Sequence, residues 1–156
     1  MSVLQSLESK IITISQWEKV RNENHNVVFT NGCFDVLHRG HITYLSKARD
    51  LGDCLVVGLN SDASVKRLKG ENRPINNEND RALVLAALSF VDHIILFEED
   101  TPKELIEQVK PNILVKGGDY AIENIVGADF VTQNGGKVLT IPFVDGYSST
   151  KIIHAL

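Results

Sequence analysis

The 156 residues carry 16 Lys and Arg against 20 Asp and Glu, a formal net charge of -4, and 43% of them are hydrophobic. This length predicts one domain, residues 1–156, around a single core, and the ordinary balance of apolar and charged residues excludes a disordered chain. A net-negative chain without a Lys/Arg block is unsuited to nucleic acid. No apolar run nears the roughly 18 residues that span a bilayer, and no basic, apolar leader follows Met1, so the expected location is cytoplasmic, with no membrane partner. Cys33 and Cys54 form no CxxC pair and are read as free thiols.

In chain order, the first 25 residues predict a strand-like Ile11-Ile12-Thr13 and a helix around Trp17, an extension packed outside the main body. Five short runs rich in branched residues then read as strands buried on both faces: 27–29, 55–59, 94–97, 113–115 and 138–141. Between them, Ile42, Leu45, Ala48 and Leu51, then Leu83, Ala86, Ala87 and Phe90, then Leu105, Ile106 and Val109 recur at helical spacing. Gly52 marks one helix end, Thr101-Pro102-Lys103-Glu104 a helix start with a Thr cap, Asn77 with Asp80 a weaker start, and Pro111 a stop. Gly135-Gly136 precedes the last strand, and a short helix from about Ser148 closes the chain. Alternating strand and helix imply right-handed crossovers and an α/β fold: a Rossmann-like open parallel sheet of about five strands with helices on both faces. In such a sheet, ligands bind beyond the carboxyl ends of the strands, where strand order reverses.

The loop after the first strand, TNGCFDVLHRGH over residues 30–41, runs directly into an amphipathic helix. His38 and His41 are spaced to face one ligand, the free N-H groups of a helix start favour an anion, and Gly40 lets backbone come close to it. From these residues alone, a helix cap plus a surface imidazole remains open beside a triphosphate cradle. A metal pair finds no third ligand at suitable spacing. The chain has no GxxxxGK[ST] and no GxGxxG, which counts against a kinase P-loop and the usual dinucleotide fold.

The segment GCFDVLHRGH at 32–41 and the late GYSSTKII at 146–153 resemble, in order, the two signatures of the cytidylyltransferase-like nucleotidyltransferase superfamily, whose fold carries an HxGH motif. The resemblance covers about residue 26 to the end. Within that superfamily the chain most resembles the adenylyltransferases acting on D-glycero-β-D-manno-heptose 1-phosphate, through 31–35, 60–70, Arg73-Pro74, 97–102, 114–120 and Asp145-Gly146. Cytidylyltransferases for glycerol phosphate usually carry Arg-Thr-Glu-Gly before the late signature, where this chain has Phe143-Val144-Asp145-Gly146.

The resemblance implies transfer of AMP from ATP to the sugar phosphate, giving ADP-heptose and pyrophosphate for the lipopolysaccharide inner core, with a separate kinase supplying the substrate. A cytidylyltransferase for glycerol 3-phosphate or another alcohol phosphate is the second possibility, and a non-catalytic nucleotide-binding regulator the third. His38, His41 and Lys69, the last on a mobile basic loop with Lys66 and Arg67, are the implied catalytic groups on the phosphates. Thr30, Asn31, Gly32, Cys33, Phe34, Gly40, Asp92, Lys116, Gly117, Asp119, Ser148, Ser149 and Thr150 would surround the nucleotide, although Asp92 at a loop start is equally well structural. Asp35 and Arg81 would face the sugar phosphate, with Asp62 beside them. Mg2+ is expected to bind through the phosphates and water rather than a carboxylate cage. A homodimer or higher homo-oligomer is expected.

Overall fold

The computed structural model describes residues 1–23 and 25–156; Asn24, inside the expected amino-terminal extension, lies outside the described residues. Two short helices, α1 (Val3–Glu8) and α2 (Ile14–Val20), lead into β1 (Val27–Gly32), α3 (Arg39–Asp50) and β2 (Cys54–Asn60). Then come α4 (Asp62–Lys69), α5 (Glu78–Ala86), β3 (His93–Phe97), α6 (Lys103–Val109) and β4 (Ile113–Gly117). A single 3-10 turn (Ile122–Asn124), α7 (Ala128–Gln133), β5 (Lys137–Ile141) and α8 (Ser149–Ala155) complete the chain.

The five strands form one parallel sheet in the order β3-β2-β1-β4-β5. Because side chains alternate across a strand, the continuous apolar runs divide between two cores. Val27, Phe29, Val56 and Ile95 pack with Trp17 of α2, Leu105, Ile106 and Val109 of α6, and Val131 of α7. Val28, Leu55, Val57 and Ile94 pack on the opposite face with Leu45 and Ala48 of α3 and with Leu85 and Ala86 of α5. The chain moves outward from β1 to β3, then returns past β1 to β4, so its strand order reverses between β1 and β4.

The amino-terminal extension is part of this body. Its strand-like stretch is one parallel bridge, Ile11 to Ile94, on the outer edge of β3. Lys10 Nζ donates to Ala86 O and Leu88 O at the carboxyl end of α5, where a cation is favoured by the orphan carbonyls. Trp17 is 2% exposed and its indole Nε1 donates to Val109 O at 3.2 Å.

Two local expectations change. The basic stretch 62–69 is a helix, not a mobile loop, because Ser61 Oγ accepts the Ser64 N-H and Ser64 and Val65 are buried. At α6 the residue before the helix is Pro102, with no side-chain cap, so Thr101 does not close the helix start. By contrast Asn77 caps α5, accepting the Asp80 N-H at 2.9 Å.

Replacing Trp17 with Ala removes a buried indole from the α2–α6 contact, and the expected loss is about 3–5 kcal/mol, read by urea denaturation. A loss below about 1 kcal/mol, the ordinary surface range, would mean that the extension does not stabilise the sheet.

Candidate active site

Beyond Phe29 the central strands part company. β1 is in register with β4 only at Val28–Ile113 and Phe29–Leu114, whereas its pairing with β2 continues to Gly32–Leu59. The carboxyl ends of β1 and β4 therefore border a crevice at the strand-order reversal, where an open α/β sheet binds ligands. Tyr44 of α3 holds its two sides. Its hydroxyl lies 2.6 Å from Thr30 Oγ1 and donates to Val115 O at 3.2 Å. Burial raises the Tyr44 phenol to about 12, against a smaller lowering by Thr30, so it stays a neutral donor.

The loop from β1 to α3 forms one lip of the crevice. Phe34 takes a positive φ of 45°, uncommon for a bulky residue, and its buried ring covers Gly32, where a Cβ would come within 2.9 Å of it. The same ring meets His41 edge-on, with centroids 5.3 Å apart. His38 and His41 then cap α3 reciprocally: Gly40 N-H donates to His38 Nδ1 at 3.1 Å, and His38 N-H donates to His41 Nδ1 at 3.4 Å. The two rings stack at 3.9 Å. A nitrogen that accepts an N-H carries no proton of its own, so each neutral ring holds its hydrogen on Nε2. Burial, then the charge of His38, pushes His41 down to about 4, and burial also lowers His38. The pair is therefore a double cap that leaves two Nε2-H donors without a partner among the described residues. At Gly40 a Cβ would lie 2.9 Å from the His38 ring and 3.1 Å from Tyr147 Cβ, so the missing side chain also makes room for these two residues.

The late signature reaches the same loop. Ser149 Oγ donates to Val36 O at 2.6 Å, tying the start of α8 to the lip, while Ser148 Oγ accepts the Lys151 N-H as a cap and Thr150 stays exposed. Tyr147 lies nearly parallel to His38, with centroids 6.1 Å apart. On the β4 side, Gly117 and Gly118 run under the exposed ring of Phe143, which a Cβ on either glycine would meet at 2.8 Å. Lys116 places its ammonium 5.6 Å from the Tyr120 ring, and Asp119 is exposed. Lys69, the exposed last residue of α4, and Arg73 both lower the Cys33 thiol electrostatically, which puts their charge near the lip; burial is the larger influence and raises the thiol overall, so Cys33 is not a thiolate.

Four expected ligand residues are committed elsewhere. Arg81 is 2% exposed and donates to Asn76 O, Cys33 O, Asn60 O and Asp62 Oδ1, so its guanidinium joins the ends of β1 and β2 instead of facing a sugar phosphate. Asp62 is its counterion at 2.8 Å. Asp35 accepts from Ile75 N-H, Asn76 N-H and Arg73 Nε, which fills its carboxylate and leaves none of it for sugar hydroxyls. Its carboxyl is lowered: burial opposes ionisation, and these donors outweigh it. Asp92 takes the structural alternative, because it lies at the amino-terminal end of the sheet, opposite the crevice, paired with Arg49 and accepting the Leu55 N-H at 2.7 Å. Thr30 is 1% exposed, its hydroxyl held by Tyr44, whereas Asn31 finds no side-chain partner among the described residues.

Sequence reasoning gave no role to Tyr44, Arg73, Phe143 or Tyr147. Tyr44 carried a usable signal, since it sits one helical turn beyond His41 on the same face. Arg73 stood in the Arg73-Pro74 stretch that carries the resemblance, but its use comes from a tertiary partner that the sequence does not show. Among the described residues no group of three or more His, Cys, Asp and Glu gathers to hold a metal, and no helix is long and apolar enough to cross a membrane. A cavity of about 580 Å³ lies along the β3 edge beside Ile12, Leu96 and Gln108, and shares no residue with the histidine lip.

Two outcomes follow from this geometry. Arg81→Leu leaves three carbonyls without their donor and the half-buried Asp62 without its counterion, and should cost at least about 1–3 kcal/mol, the range for an unsatisfied buried acceptor, in urea denaturation. Separately, His41 goes from an ordinary 6.5 to about 4 in the fold, so its contribution is complete above pH 6.5 and is lost as pH falls toward 4. His38 and His93, also lowered by burial, act in the same sense. The His41 share amounts to at most about 3 kcal/mol, and a His41→Gln variant should show a flatter decline of stability between these pH values.

A model of the cytidylyltransferase-like family matches residues 29–155. The chain is 60% identical over 136 residues to the bifunctional protein HldE of Pelobacter propionicus, covering 87% of this chain and 28% of that protein. It is 55% identical over 150 residues to the bifunctional protein HldE of Campylobacter concisus, 95% of this chain and 31% of that one. The chain thus spans about three-tenths of the length of these relatives. The crystal structure of the lipopolysaccharide core biosynthesis protein from Thermoplasma volcanium superposes with a TM-score of 0.65 at 34% identity, covering 78% of this chain and all of that one. Pantothenate synthetase from Thermus thermophilus shares the fold at a TM-score of 0.62 and 19% identity, over 92% of this chain and 67% of that one. With both signatures inside the matched region and the paired histidines at the crevice, the chain belongs to the cytidylyltransferase-like family of nucleotidyltransferases.

Proposed function

We propose that the chain transfers AMP from ATP to D-glycero-β-D-manno-heptose 1-phosphate, giving ADP-heptose and pyrophosphate. The observation that carries the nucleotide half is the reciprocal cap, which leaves two neutral Nε2-H donors without a partner among the described residues at a helix mouth beside the β1–β4 crevice. The sugar half rests on similarity to the HldE proteins and to the lipopolysaccharide core protein.

In this reaction an oxygen of the sugar phosphate attacks the α-phosphorus in line. A phosphorus–oxygen bond forms on that side, the α–β bridging bond breaks, and its electron pair leaves with pyrophosphate. The attacking oxygen is already anionic near neutral pH, so no general base is needed. The protein contributes alignment and stabilisation of the charge growing on the leaving group. His38 and His41 donate Nε2-H to the phosphate oxygens, Lys69 supplies positive charge from the end of α4, and the start of α8 adds Ser148, Ser149 and Thr150. Because His41 is held near 4 when free, a bound polyanion raises it, and nucleotide affinity should strengthen as pH falls from that raised value toward 4. Asp35 and Asp62 are engaged by arginines, which fits Mg2+ entering on the triphosphate and water. When bound, it neutralises phosphate charge.

His41→Ala should lower turnover about 10²- to 10³-fold, the range for losing one transition-state donor, with unfolding otherwise retained as a single cooperative transition. Mass spectrometry of products from ATP or CTP with a panel of sugar 1-phosphates and glycerol 3-phosphate tests the substrates. ADP-heptose as the preferred product supports the assignment. CDP-linked product from an alcohol phosphate would replace it with a cytidylyltransferase, and full activity of His41→Ala would remove the histidines from the mechanism.

A further inference from the structure

With Arg81 enclosed, the expected guanidinium for the acceptor's phosphate has to come from elsewhere. Arg81 has a side-chain exposure of 0% and already donates to three backbone carbonyls and to Asp62. One other arginine reaches the lip in a fixed position. Arg73 donates through Nε to Asp35 Oδ2 at 2.9 Å, with side-chain exposures of 14% and 1%. Its two terminal nitrogens bond nothing among the described residues.

We propose that Arg73 is the residue that receives the phosphate of the acceptor, and that Asp35 holds it in place for that purpose. The assignment rests on the sugar-phosphate transfer proposed above and names the binding residue on the acceptor side.

Three features carry it. First, a guanidinium is planar, and fixing it through Nε leaves the edge formed by its terminal nitrogens free to meet two phosphate oxygens at once. Second, the holder is itself fixed: Asp35 accepts the N-H groups of Ile75 and Asn76, and Asn76 Nδ2 donates to Asp35 O at 2.7 Å. Arg73 is thus tied to the same loop that presents His38, three residues after Asp35. Third, the charges of Lys69, Arg81 and Arg73 are all felt at Cys33, which puts Arg73 near the same loop as Lys69. Asp35 already balances the single charge of Arg73, so what the guanidinium offers a phosphate is the charge-assisted donor capacity of its terminal nitrogens.

Calorimetry separates this role from a purely structural one. Wild type, Arg73→Ala and Arg73→Lys are titrated with a non-hydrolysable ATP analogue, and then with D-glycero-β-D-manno-heptose 1-phosphate in its presence. Arg73→Ala should bind the sugar phosphate about 10- to 100-fold more weakly, the range for a hydrogen bond to a charged group. Its affinity for the ATP analogue should stay within about twofold of wild type, and Arg73→Lys should fall between the two for the acceptor because it lacks the planar fork. If Arg73→Ala does not fold, the acceptor-selective loss in Arg73→Lys decides. Equal acceptor affinity in the variants and wild type would overturn the assignment, as would a parallel loss for both ligands, the mark of a latch that only shapes the loop. Wild type that binds the nucleotide but no sugar phosphate overturns the proposed function itself, and this assignment with it.

Discussion

Everything at the crevice depends on the way α3 begins. A helix start leaves backbone N-H groups without partners, and here the two residues that meet that need are histidines. Each takes an N-H on Nδ1, so the hydrogen bonds that close the helix also fix the tautomer and orientation of the rings. Capping and ligand presentation are therefore one arrangement rather than competing explanations. Stacking at 3.9 Å and the edge contact with Phe34 keep the rings packed against protein. That enclosure keeps them neutral, which suits donors meant to strengthen their hold as negative charge arrives.

Around this point the charged groups divide by duty. Arg81 is enclosed and pairs with the half-buried Asp62 while joining the ends of β1 and β2, so removing it would leave three carbonyls and that carboxylate without their donor. Asp35 and Arg73 form a second pair that ties the segment before α5 to the histidine lip. Tyr44 spans the place where β1 and β4 separate. These contacts set the width and rigidity of the opening, while Lys69, Lys116 and the start of α8 reach its rim. The scaffold is stiff at the strand ends and more exposed where ligands would enter, as expected of a site whose work is alignment.

Much of the fold was legible because the strands are buried on both faces: continuous branched runs such as Leu55–Leu59 leave little alternative. α4 was not legible, since Asp62–Lys69 is dominated by polar residues and its inward side is little more than Ser64 and Val65. α7 begins at Gly127 with a φ of 86° and no side-chain cap, so it lacks the usual start signal. At the site, loop order put the segments with His38, His41 and Lys116 at the carboxyl ends of their strands, while the roles given to them and to the late serines came from the resemblance. The uses of Asp35, Arg81 and Thr30 were not legible, because a sequence shows which charges and hydroxyls exist but not which backbone groups they satisfy. Arg81 looks like a ligand until its four hydrogen bonds are counted.

The bifunctional relatives extend well beyond the region this chain matches, so similarity alone leaves its own chemistry to the crevice. Long-range nitrogen-15 NMR of the histidine rings, with and without an ATP analogue, examines that crevice most directly. Both His38 and His41 should be neutral with the proton on Nε2 at pH 7.5, and both Nε2 signals should shift when the analogue binds. A proton on Nδ1 of either ring, or signals unmoved by saturating nucleotide, would contradict the account.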